Sequence, residues 1–561
     1  MTLALIAALL VAAAAPASDP AALHAMAREY YAWRDREDPV SSSNQGLHTW
    51  DDQLSDEAMP KVLERRKHVE ALLARVKALP TVGWSKDDRV DAALFRAQLE
   101  QAAFFGRVLR FEETNPQVYV DECSGGIFSL LKKEYAPART RALAATARLR
   151  RMPAFLEQGK KNLTRPVALY ARLAAEAARG GDDLYQTSLM TLAESLSGPE
   201  KQALVEARDA AVSALHAYAA WLEEGIPRMA AFVPMGRANY DLYLRRVHLL
   251  PFNAEQVEML GQAELNRYRG LESLLADPSL ASPDPARAKN VPADQQAFLA
   301  AYQGREKEMI EFLQKNRLIT LPAYLGPFSI RQLPDAFKPT SPGGFMNPPG
   351  LYDKDPEGFY FIPTYNPKSE NFYIRAAIED PRPILGHEGI PGHFLQISIA
   401  NHLPDEIRRQ HGDNVFVEGW ALYGEEMLSR QGLYPENSPA QGQVLRLSRY
   451  RAARIGVDVN LHTGNWTFDE AVRYFMEAGG LDREAAEGEA AGAASNPLQK
   501  IGYMTGKSQI MGLLGRYRDR KGKDFRLGAF HDELISYGSL PVSVIEWLML
   551  DDPGPLESAL R

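Results

Sequence analysis

The sequence predicts a mainly α protein, a large helical body with one small β-sheet near residues 318–366. Three observations predict it. From Pro20 to Asn316 the chain is rich in Ala, Leu, Glu, Arg and Gln, with apolar residues three and four apart, the spacing that lines one face of a helix. Between Leu318 and Asn366 the pattern shifts to short β-type runs broken by Pro and Gly. Helical periodicity returns from about Asn371 and continues to the C-terminus.

In chain order, residues 1–17 are uncharged and apolar and end in Ala15-Pro16-Ala17 before the polar Ser18-Asp19-Pro20. That reads as a signal peptide cleaved after Ala17, although only the terminal amine supplies the usual positive charge. No Cys stands near the cleavage point to take a lipid. The mature chain is therefore expected to be exported to the periplasm, with no stable membrane association once processed; a retained membrane anchor is the alternative. Helices are predicted over 56–79, 86–111, 136–159, 199–225 and 253–275, each an amphipathic run behind a polar or acidic start. The proline-bearing stretch 276–292 reads as an exposed connection. Strands are expected at 318–321, 328–330 and 358–362. Breaks are expected at Pro391-Gly392, from Gly432 to Pro439, and around Gly479 to Pro497. Residues 18–316 and 317–561 read as an N-terminal helical region and a catalytic region of one continuous fold.

A formal charge of −8, with no run of five Lys or Arg interleaved with aromatics, excludes a phosphate-tracking surface, so no nucleic-acid partner is expected. Cys123 is the only cysteine, which rules out an internal disulfide and a cysteine-based metal cluster. Its acidic neighbours Asp121 and Glu122 disfavour a thiolate, so it is expected to be a small core or loop residue.

The chemistry concentrates in Ile384-Leu385-Gly386-His387-Glu388-Gly389-Ile390-Pro391-Gly392-His393-Phe394-Leu395-Gln396. A helical zinc hydrolase aims two imidazoles at one ion and sets a carboxylate beside the attacking water, usually as H-E-x-x-H. Here the histidines are six apart, and on a regular helix that spacing leaves them about 120° from a shared direction. Pro391 lacks an N–H and Gly392 tolerates most backbone angles, so the helix is expected to bulge and return His393 to the face of His387. Glu388 is then the expected general base. A third ligand is required, and Glu418, a carboxylate amid apolar residues 25 positions after His393, is the choice. Glu425, seven residues on, falls near the same helical face and is expected to orient a ligand from behind, or else to be an ordinary surface carboxylate. Glu426 is expected to be solvated.

Through H-E-G-I-P-G-H-F-L-Q and F-V-E-G-W-A-L-Y, the chain resembles a large bacterial family classed as a domain of unknown function, whose members carry H-E-x-x-P-G-H and E-G-W-A. That family in turn resembles thermolysin-like and angiotensin-converting-type zinc peptidases, which implies a helical body around a long cleft. Phe394 stands where members often place another His, so His393 is the sole second imidazole here. Three further segments match. Arg451, Arg454, Asp458 and His462 share one helical face; the arginines read either as a structural ladder or as holders of a substrate carboxylate, and His462 as catalytic or structural. Tyr503 is placed to donate to an oxyanion or to serve as a packed aromatic. His531 and Asp532 read as local pairing. The strand at 358–362 reads as a core strand, or by its position before the zinc helix as the edge strand that a zinc peptidase often pairs with its substrate, which makes Tyr360 a candidate substrate contact.

The expected function is hydrolysis of a peptide bond by zinc-activated water, with a peptide or small amide as substrate. Two alternatives stand beside it: hydrolysis of a non-peptide amide by the same centre, and a non-catalytic envelope binding protein with a vestigial metal site.

Overall fold

The computed structural model describes residues 19–276, 292–333, 344–436 and 438–561. The expected signal peptide, and residues 277–291 of the expected connection, lie outside the described residues. The chain is mainly helical with one three-stranded sheet.

The amphipathic runs of the first half form helices close to their sequence bounds, at Met59–Lys77, Lys86–Phe104, Ala138–Asn162, Gly198–Gly225 and Ala254–Ala276. Local chemistry sets their starts. The Ser85 hydroxyl accepts from the Asp88 N–H, and Ser197 and Glu200 cap each other's backbone reciprocally. Among the described residues no helix is long and apolar enough to cross a membrane.

The sheet has strands β1 (Phe328–Gln332), β2 (Phe345–Asn347) and β3 (Gly358–Ile362), in the order β1-β3-β2. Strand β3 pairs parallel with β1, Phe328 opposite Gly358, and antiparallel with β2, Phe345 opposite Phe361. This corrects the edge-strand expectation: β3 is central and buried along its length, so its ladder groups are taken by its neighbours. The run at 318–321 is not a strand. Leu318 and Ile319 are buried, but the backbone bonds run elsewhere: His531 Nδ1 donates to the Leu318 carbonyl at 2.6 Å and the Thr320 N–H to Asp532 Oδ1 at 2.8 Å. The expected break around 479–497 holds a helix, Arg483–Ser495, whose N-cap is Asp482.

The largest apolar cluster draws on both ends of the chain, joining Leu23, Phe95 and Tyr302 to Phe394, Trp420 and Ile545. A second is confined to the N-terminal helices around Tyr119, Leu149 and Leu215. A third seats helix Ala254–Ala276 on helix Pro439–Thr463 through Leu265, Ile455 and Val459. Cys123 is fully buried in the second cluster; burial, aided by Glu122 and Asp121, pushes its thiol well up.

Candidate metal centre

The widely spaced histidines converge because the helix stops and restarts between them. Helix Arg382–Glu388 ends at Gly389, and helix His393–Ala400 begins after Gly392. A Cβ at Gly392 would lie 1.9 Å from the His387 carbonyl oxygen, so only glycine lets the second helix start against the end of the first. The looped-out residues are pinned from the next helix, where Trp420 Nε1 donates to the Pro391 carbonyl at 2.8 Å. The two imidazole rings end 4.6 Å apart.

The third side chain comes from helix Asn414–Arg430. Glu418 Oε2 lies 3.4 Å from His387 Nε2 and 3.3 Å from His393 Nε2, and makes no hydrogen bond. His387, His393 and Glu418 thus offer ligand atoms within 4.8 Å of one another, a group able to hold a metal ion. The spacing has a specific meaning. Four-coordinate zinc, with bonds of about 2.0–2.2 Å, separates neighbouring ligand atoms by about 3.3–3.6 Å. Burial pushes the Glu418 carboxyl up, but His393 and His387 outweigh it and hold it well below the carboxylate range. Burial and Arg451 push the His387 imidazole down, while Glu418 and Glu425 carry it up to about 9.

Glu425 stands behind His387. It is fully buried, with Oε1 2.8 Å from His387 Nδ1 and 3.1 Å from Arg451 Nη2. A carboxylate there fixes which ring nitrogen faces the triad. Glu388 is half-buried and lines a cavity of about 940 Å³ together with His387, Tyr360, Tyr503, Arg451 and Arg454. Helix Ala168–Gly180 adds Leu169 and Leu173 to the lining of the same cavity.

Tyr503 arrives on helix Gly502–Lys521, which touches helix Asn414–Arg430 backbone to backbone. A Cβ at Gly506 would stand 1.8 Å from the Val415 carbonyl oxygen, and one at Gly419 would stand 2.5 Å from Gly506. This contact brings the Tyr503 ring parallel to His387, 6.0 Å between centroids. Burial, aided by Glu418, pushes the phenol up, so it is a neutral donor at ordinary pH.

His462 is not brought to the cluster. Its Nε2 bonds the Ala493 carbonyl at 2.9 Å, its ring lies between Phe232 and Tyr240, and it does not line the cavity, so the expected catalytic role has no geometry behind it. Glu426 is also corrected: rather than solvated it is 8% exposed and bonded to Lys507 and Tyr268. Phe394 is packed on Phe328. His531 does not pair locally as expected: its Nε2 meets the Tyr423 hydroxyl at 2.8 Å and its Nδ1 the Leu318 carbonyl at 2.6 Å, both distant in sequence.

Sequence reasoning missed Gln499, whose Nε2 lies 3.2 Å from both Glu418 Oε1 and Tyr503 Oη. Its position four residues before Tyr503 was the available signal. It also missed Glu489, Tyr373 and Tyr450, which surround Arg454 and carried no motif.

Fold and site together define a mainly α protein with a buried two-histidine, one-glutamate cluster at the wall of a large cavity. The chain belongs to the family described as bacterial protein of unknown function, DUF885, which matches residues 39–549. A candidate lipoprotein of unknown function from Shewanella oneidensis has a similar fold, with TM-score 0.75 and 23% identity over 95% of this chain and 100% of that one. A candidate lipoprotein from Colwellia psychrerythraea is likewise similar, with TM-score 0.79 and 18% identity over 95% of this chain and 99% of that one. Among curated proteins none matches the chain.

Proposed function

We propose that this protein is an exported zinc-dependent hydrolase of peptide bonds. One observation carries the reading: a buried carboxylate oxygen, Glu418 Oε2, sits 3.3 and 3.4 Å from two imidazole nitrogens without a hydrogen bond, at the edge length of a zinc tetrahedron. Two nitrogens and one oxygen suit zinc, and three protein ligands leave a position for water or substrate.

A zinc ion bound there would supply a Lewis acid and an activated water. Glu388, next to His387 on the cavity wall, would act as the base that takes the proton of the attacking water as its oxygen adds to the carbonyl carbon. The same carboxyl returns the proton to the leaving nitrogen as the C–N bond breaks, giving an acid and an amine. Tyr503 donates to the carbonyl oxygen as negative charge grows on it. Gln499 steadies both Tyr503 and Glu418, and Glu425 keeps His387 in register.

Export is supported by the signal-like N-terminus and by the description of two similar structures as candidate lipoproteins. The test combines elemental analysis of the purified chain with a screen of short peptides. About one zinc per chain together with chelator-sensitive cleavage is expected. Zinc without cleavage of any peptide, but with turnover of a non-peptide amide, would transfer the reading to that substrate class. A chain that takes up no zinc at neutral pH would leave only a binding role.

A further inference from the structure

The two arginines on the cavity wall are not equivalent. Arg454 is committed: its Nε and Nη2 donate to Glu489 at 3.0 and 2.8 Å, it also bonds Tyr450, and its plane lies 4.4 Å from the Tyr503 ring. Arg451, one turn earlier, is 5% exposed. Its buried Nε and Nη1 have no hydrogen-bond partner among the described residues, and Nη2 faces the Glu425 oxygen, at 3.1 Å, that also faces His387. A guanidinium carries five N–H donors in a rigid fork, and a buried cation with unmade bonds is costly to keep.

The ion pairs differ in the same way. Arg454 and Lys500 share Glu489, whereas Arg451 faces Glu425. Arg451 also lines the cavity, the side from which an anion can reach it.

We infer that Arg451 binds a carboxylate of the substrate, so that the bond cleaved lies close to a free C-terminus or an acidic side chain. The inference rests on the peptidase reading and adds a substrate class to it. Arg fits because its fork matches a carboxylate with two parallel bonds, which a lysine ammonium does not reproduce. Arg451 also sits 5.6 Å over Tyr503, so a carboxylate held there lies beside the group that faces the reacting carbonyl.

The test uses the zinc-loaded full chain and three substrates: acetyl-trialanine with a free C-terminus, its C-terminal amide, and the amide with Asp as last residue. The free acid is expected to exceed the alanine amide in kcat/KM by at least about 10-fold. Cleavage of the Asp amide at the rate of the free acid would keep the carboxylate and assign it to a side chain. Arg451→Lys preserves the charge beside Glu425 but loses the fork. It is expected to raise KM for the acid about 10-fold more than for the alanine amide, with zinc content unchanged. Equal rates for all three substrates with the native chain would overturn the inference, as would an Arg451→Lys variant that slows acid and amide alike. A zinc-loaded chain that cleaves none of them would instead overturn the peptidase reading itself.

Discussion

Two buried carboxylates stand side by side on helix Asn414–Arg430, and their surroundings are opposite. Glu426 meets the Lys507 ammonium, the Tyr268 hydroxyl at 2.6 Å, and Arg267 and Arg430 at 3.2 and 3.1 Å. Burial pushes its carboxyl up, but Lys507 and its other donors outweigh that and hold it well below the usual range. Glu425 instead faces His387 Nδ1 at 2.8 Å and Arg451 Nη2 at 3.1 Å, and Glu418, two turns earlier, turns Oε2 toward two imidazoles, 3.4 and 3.3 Å from their Nε2 atoms. The comparison separates two uses of buried charge. A cluster whose carboxylate is met by ammonium, guanidinium and hydroxyl donors ties helices together, whereas one that gathers a carboxylate oxygen and two imidazole nitrogens at ligand distance is able to hold a cation.

The sharpest way to break this distinction is to remove a ligand. His393→Ala or Glu418→Ala is expected to lose bound zinc, read by elemental analysis, and to drop peptide hydrolysis to background. Full zinc in either variant would show that the triad is no metal site. Next in size, Glu388→Gln is expected to keep zinc but lose about 10²–10⁴-fold in kcat, measured on the best substrate of the peptide screen. Unchanged turnover would remove Glu388 as the base.

Tyr503→Phe keeps the ring and deletes only the hydroxyl. It is expected to cost about 10²–10³-fold in kcat with zinc content unaltered; a loss confined to KM would make Tyr503 a binding residue. On the satisfied side of the comparison, Lys507→Met takes the buried ammonium from Glu426 and leaves it Tyr268, Arg267 and Arg430. Urea unfolding should show about 1.5–3 kcal/mol less stability while zinc per folded chain stays the same. Loss of zinc there would mean that the two clusters are one network. Smallest, Gly506→Ala drives a methyl toward the Val415 carbonyl and should cost about 1–3 kcal/mol in the same unfolding assay.

How much of this was legible depended on how local the cause was. The long amphipathic helices were readable because their apolar spacing and their caps lie within one segment, as with Ser197 and Glu200. The interrupted helix at 389–392 was readable because Pro391 and Gly392 carry their backbone limits with them. One failure was local, helix Arg483–Ser495 starting on its own Asp482 cap where a break was expected; the others were non-local. Leu318 and Ile319 look like a strand, but which groups meet their backbone depends on His531 and Asp532, more than two hundred residues away. His462 shares a helix with Arg451 and Arg454 yet packs against Phe232 and the Ala493 carbonyl, which periodicity does not foresee. Strand β3 was found, but its central place depended on β2, three residues whose pairing no local pattern announced.

The sequence by itself determined the mainly α class, the identity of the two histidines and their break, and the presence of a carboxylate suited to join them. Each is a property of residue type and short-range spacing. Only the tertiary structure decided that Glu418 stands at ligand distance from both imidazoles, that Glu426 is consumed by Lys507, and that Arg451 is left with donors to offer. Those outcomes depend on how helices Asn414–Arg430, Pro439–Thr463 and Gly502–Lys521 approach one another, down to a glycine-on-glycine contact, and the packing of separate helices is fixed by the whole core rather than by any one segment.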